Sequence, residues 1–117
     1  METIYNYEDR LVRFAGEVIF FVSSIPENYP GKYYSNQLIR SSGSGALNYG
    51  EAQGTVTNKD FINKMSLVVK ELKESRCTLK ILGYAGIGEE EKRSWLLSEC
   101  EELIAIGAKM INNKREQ

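Results

Sequence analysis

Apolar positions recur with a helical period in four stretches of the chain, and alternating, strand-like runs are scarce. In residues 8–24 the apolar positions Leu11, Phe14, Val18 and Phe21, continued by Ile25, are spaced 3, 4, 3, 4. That spacing places them on one stripe of a helix. Ala15, Ile19 and Val22 widen the stripe to a buried face. Pro26 ends the helix, because the residue before a proline avoids the α region. In residues 58–84, Phe61, Met65, Val68, Leu72, Ser75, Leu79 and Leu82 are spaced 4, 3, 4, 3, 4, 3. Three heptads in register predict a seam for packing against neighbouring helices at a shallow angle. Thr57 with Asp60 three residues later resembles a capping box at its start, and Gly83, Gly86 and Gly88 mark its stop. In residues 89–112 the period returns in Leu96, Cys100, Leu103, Gly107 and Met110. Acidic Glu89, Glu90 and Glu91 open this stretch and Lys109, Lys114 and Arg115 close it, as the helix dipole favours.

The stretch 32–53 carries two conflicting signals. Ser41-Ser42-Gly43-Ser44-Gly45 has the composition of a flexible linker. Each glycine inside a helix costs about 1 kcal/mol relative to alanine. Yet Gln37, Ser41, Ser44, Asn48 and Glu51 keep a 4, 3, 4, 3 spacing, with Leu38, Gly45 and Ala52 in a parallel row. A linker has no reason to keep that period, so a helix is expected. Its small and polar row lets another helix approach closely, with hydrogen bonds made across the contact. The segment containing Pro26 and Pro30, up to Gly31, reads as a loop. Four helices with short connections predict an all-α fold, an antiparallel up-down-up-down four-helix bundle, in one domain spanning 1–117.

Composition narrows the chemistry. The chain has 117 residues, 15 Lys+Arg against 16 Asp+Glu, no histidine and two cysteines. No imidazole is available as a general base. No histidine-containing metal site can form, and two cysteines fall short of a structural zinc site. The di-iron design of helical bundles needs Glu-x-x-His motifs that this chain lacks. No metal or other cofactor is expected. The N-terminus has neither a basic region nor a long apolar run, so no membrane span or leader is expected and the location read is cytoplasmic. Cys77 and Cys100 are expected as small buried residues of a reducing compartment. The near-neutral charge is uneven: residues 1–56 hold 4 basic and 6 acidic side chains, residues 57–117 hold 11 and 10.

The stretch 37–51 reads Gln-Leu-Ile-Arg-Ser-Ser-Gly-Ser-Gly-Ala-Leu-Asn-Tyr-Gly-Glu. It resembles the signature of the four-helix-bundle proteins of the 23S rRNA intervening-sequence family, also labelled S23 ribosomal protein. Gln37, Leu38, Arg40, Ser41, Ser42, Ser44, Asn48 and Glu51 match that pattern, and Glu74 stands at a second acidic position of it. Gly45 and Tyr49 depart from it, standing where aliphatic residues are usual, and Ala52 or Gly54 replaces the glycine that follows the acidic residue. The resemblance runs from about Arg10 to Asn112. It implies an antiparallel four-helix bundle that assembles as a homopentameric ring, and it implies no known enzyme. A more distant similarity is to the accessory variability protein of diversity-generating retroelements, a basic pentamer that binds nucleic acid. The charge balance here weighs against that particular role.

Three groups of residues carry candidate chemistry. Gln37, Arg40, Ser41, Ser44, Asn48, Glu51 and Glu74 are expected to form a buried polar network or a subunit interface, fixing helix register. The alternative is a ligand-binding or enzymatic site centred on Arg40, Asn48, Glu51 and Glu74. Lys70, Lys73, Arg76 and Lys80 lie about one turn apart, with Lys59 and Lys64 before them. They form a loose stripe able to meet a phosphate backbone, or else a solvated helix face. Tyr29, Tyr33 and Tyr34 cluster near Pro30, with Tyr5 and Tyr7 at the N-terminus. They read as a docking or base-stacking surface, or as rings that cap the bundle end. Gly43-x-Gly45 and Gly86-x-Gly88 lack the strand and the Lys-Ser/Thr of a phosphate loop. The expectation is a non-enzymatic, self-assembling scaffold or adaptor whose partner is a second copy of itself, with RNA or another nucleic acid as a local, assembly-dependent partner.

Overall fold

The computed structural model describes residues 6–117; Tyr5 of the tyrosine group lies outside the described residues. Four helices follow in order: α1 Tyr7–Val22, α2 Tyr29–Ala52, α3 Asn58–Ala85 and α4 Glu90–Arg115. No strand occurs among the described residues. They form a four-helix bundle in which α1 packs on α2, α2 on α3, α3 on α4, and α4 back on α1.

Register is pinned by specific pairs. Tyr7 meets Tyr49 edge-to-face at 5.0 Å on one end of the α1–α2 contact. Arg40 reaches Glu71 and Glu74, while Glu51 reaches Lys64. The Cys100 thiol donates to the Leu72 carbonyl at 3.2 Å, while Lys114 sits 5.2 Å over the Phe61 ring. Arg10 binds Glu99, while Lys92 lies near Glu17. Along these last three contacts the residue numbers rise on one helix as they fall on its neighbour.

The spacing read from the sequence accounts for most of the core. Leu11, Phe14, Val18 and Phe21 of α1 are buried, as are Met65, Val68, Leu72, Ser75, Leu79 and Leu82 of α3. Leu96, Cys100, Leu103, Gly107 and Met110 of α4 are buried too. Fully burying such an aliphatic or aromatic side chain contributes roughly 1.5–3 kcal/mol before the entropy cost of ordering it.

Local chemistry sets the ends. α2 begins at Tyr29, three residues before the expected start, because proline fits the first helical turn and Asn28 caps it. The Asn28 side chain accepts from Gly31 N at 2.9 Å. α1 stops at Val22, where the Ser23 and Ser24 hydroxyls donate to the Phe20 and Phe21 carbonyls. Thr57 caps α3 by accepting from Asp60 N at 3.0 Å. At its far end Gly86 is left-handed (φ 68°) and Ile87 N bonds back to Leu82 O at 2.9 Å. Glu89 caps α4, and its own N–H donates to Ser24 Oγ at 3.0 Å, which ties the end of α1 to the start of α4.

Two expectations need correction. Ile19 is not on the buried face; it is 59% exposed, because α1 is covered on one stripe only. Cys77 is exposed while Cys100 is buried. Cys77 lies between the seam residues Ser75 and Leu79 in sequence but points away from them around the helix.

Tyr7 makes a close approach across the bundle to α4. Its hydroxyl donates to the Leu103 carbonyl at 2.7 Å. It reaches the α4 backbone across Gly107, where a Cβ would stand 2.9 Å from both Tyr7 Oη and Val69 Cγ2. Burial, with Tyr49 and Cys100 nearby, pushes the Tyr7 phenol well above its ordinary value. Gly107→Ala is therefore expected to destabilise the fold by about 1–3 kcal/mol in denaturant titration, despite alanine's better helix propensity. A buried neutral phenol adds stability below the unfolded-state pKa of about 10 that is lost as pH rises beyond it. Tyr7→Phe is expected to show a shallower alkaline loss of stability than the parent, measured by unfolding between pH 9 and 12.

Candidate functional site

The sequence-expected polar residues occupy the α2–α3 seam, and their burial falls off from the core outward. Innermost is a hydroxyl pair: Ser41 Oγ and Ser75 Oγ lie 2.6 Å apart, both buried. One hydroxyl donates to the other, and the one that accepts is free to donate along its own helix, Ser75 to Glu71 O at 3.1 Å or Ser41 to Leu38 O at 3.5 Å. Gly45 lies beside them, and the Leu72 side chain fills the space at 3.8 Å from where a Cβ would stand. Small residues at Ser41, Ser42 and Gly45 thus let α2 settle closely on α3.

The next row is half-buried. Gln37 and Ser44 stand at the seam edge, and Asn48 donates to Ser44 O at 2.9 Å within its own helix. The outer row is ionic. Arg40 Nη1 donates to Glu71 Oε1 at 3.1 Å and Nη2 donates to Glu74. Lys64 Nζ donates to Glu51. Hydrogen bonding from Arg40 to Glu74, against desolvation and with help from Glu71, raises the Arg40 pKa. Arg40 and Glu51 are open to solvent, 47% and 62% exposed, whereas Glu71 is sheltered. Among the expected network residues, only the Ser41 contact is buried. Glu51 and Glu74 do not face each other: their partners Lys64 and Arg40 hold them apart, and Lys64 lies ten residues from Glu74, about 15 Å along α3.

The basic stripe divides. Lys70, Lys73 and Lys80 are exposed on the outer face of α3, whereas Arg76 is half-buried and turned toward α4, near Cys100. Ser66, Val69, Lys70, Lys73, Glu74 and Cys77 line an open groove of about 490 Å³. Among the described residues no ion pair engages Lys70, Lys73 or Lys80. The tyrosines sit at the start of α2: Tyr29 and Tyr33 stack at 6.2 Å, and Tyr33 meets Tyr34 edge-on at 5.0 Å. Tyr29 and Tyr33 are exposed, while Tyr34 packs against the core.

One ionic cluster escaped the sequence reading. Arg10 binds Glu99 through Nε at 2.9 Å and Nη2 at 2.8 Å, and Glu102 at 2.8 Å. The Arg10–Glu99 pair is sheltered, at 15% and 13% side-chain exposure. Hydrogen bonding to Glu99 holds the Arg10 pKa above its ordinary value, against desolvation. The signal was present: Arg10 precedes buried Leu11, and Glu99 and Glu102 precede buried Cys100 and Leu103. Nearby, Arg13 lies 4.8 Å over the Trp95 ring, in a cleft of about 250 Å³ shared with Glu17, Glu91, Lys92 and Leu96. That volume falls below the usual range of small-molecule sites, about 300–1,000 Å³.

Of the two thiols, the buried one is quiet. Burial pushes the Cys100 thiol up to about 12, so it stays protonated. Among the described residues no group of three His, Cys, Asp or Glu side chains is placed to hold a metal ion. None of their helices is long and apolar enough to cross a membrane. Because Arg40 is half-exposed, Arg40→Ala is expected to cost no more than about 1 kcal/mol in denaturant unfolding and to leave the helical signal intact.

Known proteins place this bundle. A protein of unknown function from the S23 ribosomal protein family of Bacteroides thetaiotaomicron has a similar crystal structure, with a TM-score of 0.80 and 23% identity. The match covers 90% of this chain and 97% of that one. No curated protein matches the chain. Residues 9–112 match the 23S rRNA-intervening sequence protein family, and the chain belongs to that family.

Proposed function

We propose that the chain is a non-enzymatic subunit of a self-assembling scaffold in the cytoplasm: an antiparallel up-down-up-down bundle that joins copies of itself into a ring of five, as the family resemblance implies. The observation that carries this reading is the amount of uncovered apolar surface. Val12, Ile19, Phe20, Ile39, Leu47, Leu67 and Ile81 are all at least 40% exposed, besides the tyrosines. Soluble monomers rarely expose contiguous apolar patches beyond a few hundred Å², and larger ones mark interaction surfaces. The absence of histidine and the solvent-facing ion pairs of Arg40, Glu51 and Glu74 support a structural role over a catalytic one.

A second reading, compatible with the first, is contact with RNA or another nucleic acid along α3. Lys70, Lys73 and Lys80 share one outward face with no ion pair among the described residues, and Lys59 extends it. Repetition around a ring multiplies such a stripe into a substantial field. Arg76, turned toward α4, contributes less than its spacing in the sequence implied.

Light scattering after size exclusion tests the assembly, with several copies of the 13.3 kDa chain expected and a strict monomer overturning it. A salt series of RNA and DNA binding tests the stripe. Binding at low salt that falls steeply with ionic strength, and that Lys70→Ala with Lys73→Ala and Lys80→Ala abolishes, is expected. No binding at low salt, or binding unchanged by the three substitutions, removes the nucleic-acid reading.

A further inference from the structure

We propose that the cleft between α1 and α4 binds a small zwitterion, a free α-amino acid, whose carboxylate meets Arg13 and whose ammonium meets Glu91. The site lies apart from the α2–α3 seam and from the α3 lysines, and it does not depend on how copies of the chain assemble.

The cleft exists because the seam opens between two fixed ties. Of the four neighbouring helix pairs, α1 and α4 share the smallest contact. Near the start of α1 they are joined by Arg10 on Glu99, and at its end by the Glu89 N–H on Ser24 Oγ. Between these ties Arg13, Glu17, Glu91, Lys92, Trp95 and Leu96 line a cleft of about 250 Å³. Leu96 is buried and Trp95 half-buried, so the two supply an apolar floor. The walls are set by the fold, before any ligand arrives, and a preorganised site loses less ordering entropy on binding.

Two opposite charges in the cleft are left without partners. The Arg13 guanidinium stands 4.8 Å from the centre of the Trp95 ring. Glu17 follows Arg13 by four residues, the spacing at which an ion pair forms along a helix. Yet Arg13 makes no ion pair among the described residues. Glu17 lies nearer Lys92, at 3.9 Å, which is beyond hydrogen-bond length. Glu91 has no cation among the described residues either, and it does not reach Arg13. Contact with the indole ring restricts the guanidinium and uses none of its N–H donors.

Those features select a ligand class. Arg13 and Lys92 offset Glu17 and Glu91, so the lining has no net charge. A simple anion or cation meets as much repulsion there as attraction. A molecule carrying both charges is matched on both sides. Glu91 and Trp95 stand four residues apart on α4, with about 5–6 Å between their Cβ atoms. The free carboxylate therefore lies about one turn from the guanidinium over the ring. In an α-amino acid the nitrogen and the carboxyl carbon are each one bond from Cα, within about 3 Å of each other. With a charge-assisted hydrogen bond of about 2.8 Å on either side, such a molecule spans that gap. Its side chain is left to lie against Trp95 and Leu96, which suits an aliphatic group. Sites for drug-sized ligands run larger, about 300–1,000 Å³, so the volume also favours a molecule of this size.

Trp95 is the chain's one tryptophan, so its emission reports on the cleft. The full chain is titrated with L-leucine into the tens of millimolar at neutral pH. A saturable change in emission is expected. N-acetyl-L-leucine amide, with the same side chain and no charge, is expected to bind at least tenfold more weakly. Arg13→Gln and Glu91→Gln, both at exposed positions, are each expected to weaken leucine binding at least tenfold with helicity unchanged, while Lys73→Gln on α3 has no effect. Because Arg13→Gln also alters the surroundings of Trp95, ligand-observed NMR on the leucine methyl signals measures the same affinities without the fluorophore. No saturable change overturns the proposal, as does equal binding of the uncharged amide or binding that survives both substitutions. Sodium acetate binding as well as leucine marks a plain anion site and overturns it too.

Discussion

The bundle depends on one close approach. Tyr7 spans the interior from the first turn of α1 to the α4 backbone, and it arrives only because position 107 has no side chain. The phenol cannot be moved outward, since its ring is also held edge-on by Tyr49 of α2. One side chain therefore fixes α1 against two neighbours at once. The Arg10 fork on Glu99 and Glu102 lies one turn further along and repeats the α1–α4 tie at the surface of the same contact. At the other end the Ser24–Glu89 bond does the same with a backbone donor. With both ends of α1 held against α4, its outer face is left uncovered.

The α2–α3 contact is closed by a different device. Here the side chains are small, and the helices meet through a buried pair of hydroxyls in place of interlocking leucines. Both hydroxyl protons can be placed, one on the partner hydroxyl and one on a carbonyl of its own helix, so the pair carries little desolvation cost. Most of the charge is kept at the rim, where Arg40, Glu74, Glu51 and Lys64 remain hydrated, while Glu71 is sheltered beneath Arg40. The seam thus sets helix register by shape and polarity, and its ion pairs contribute little energy.

Periodicity made the four helices and most of the core legible, because burial of one stripe leaves a direct trace in residue spacing. The second helix was legible despite its glycines, since Leu38, Gly45 and Ala52 keep the period that a linker would not. What the sequence hid follows from its one-dimensional form. Tyr29 and Pro30 looked like loop residues until Asn28 was seen to cap them. Ile19 and Cys77 looked buried because their types are apolar, but the width of a covered stripe is set by how many neighbours a helix has. Arg40 and Glu51 shared a row with Ser41, yet a side chain on the edge of a row reaches water where a shorter one beside it does not. The Arg10 cluster joins residues some ninety positions apart, and only packing brings them together.

The lock between Tyr7 and position 107 is tested most directly by a double-mutant cycle on unfolding free energy, using Tyr7→Phe, Gly107→Ala and the two combined. Phenylalanine removes the oxygen that the new methyl group would strike. The double substitution is therefore expected to cost less than the sum of the singles by about 0.5 kcal/mol or more. Additivity within about 0.3 kcal/mol would contradict the lock.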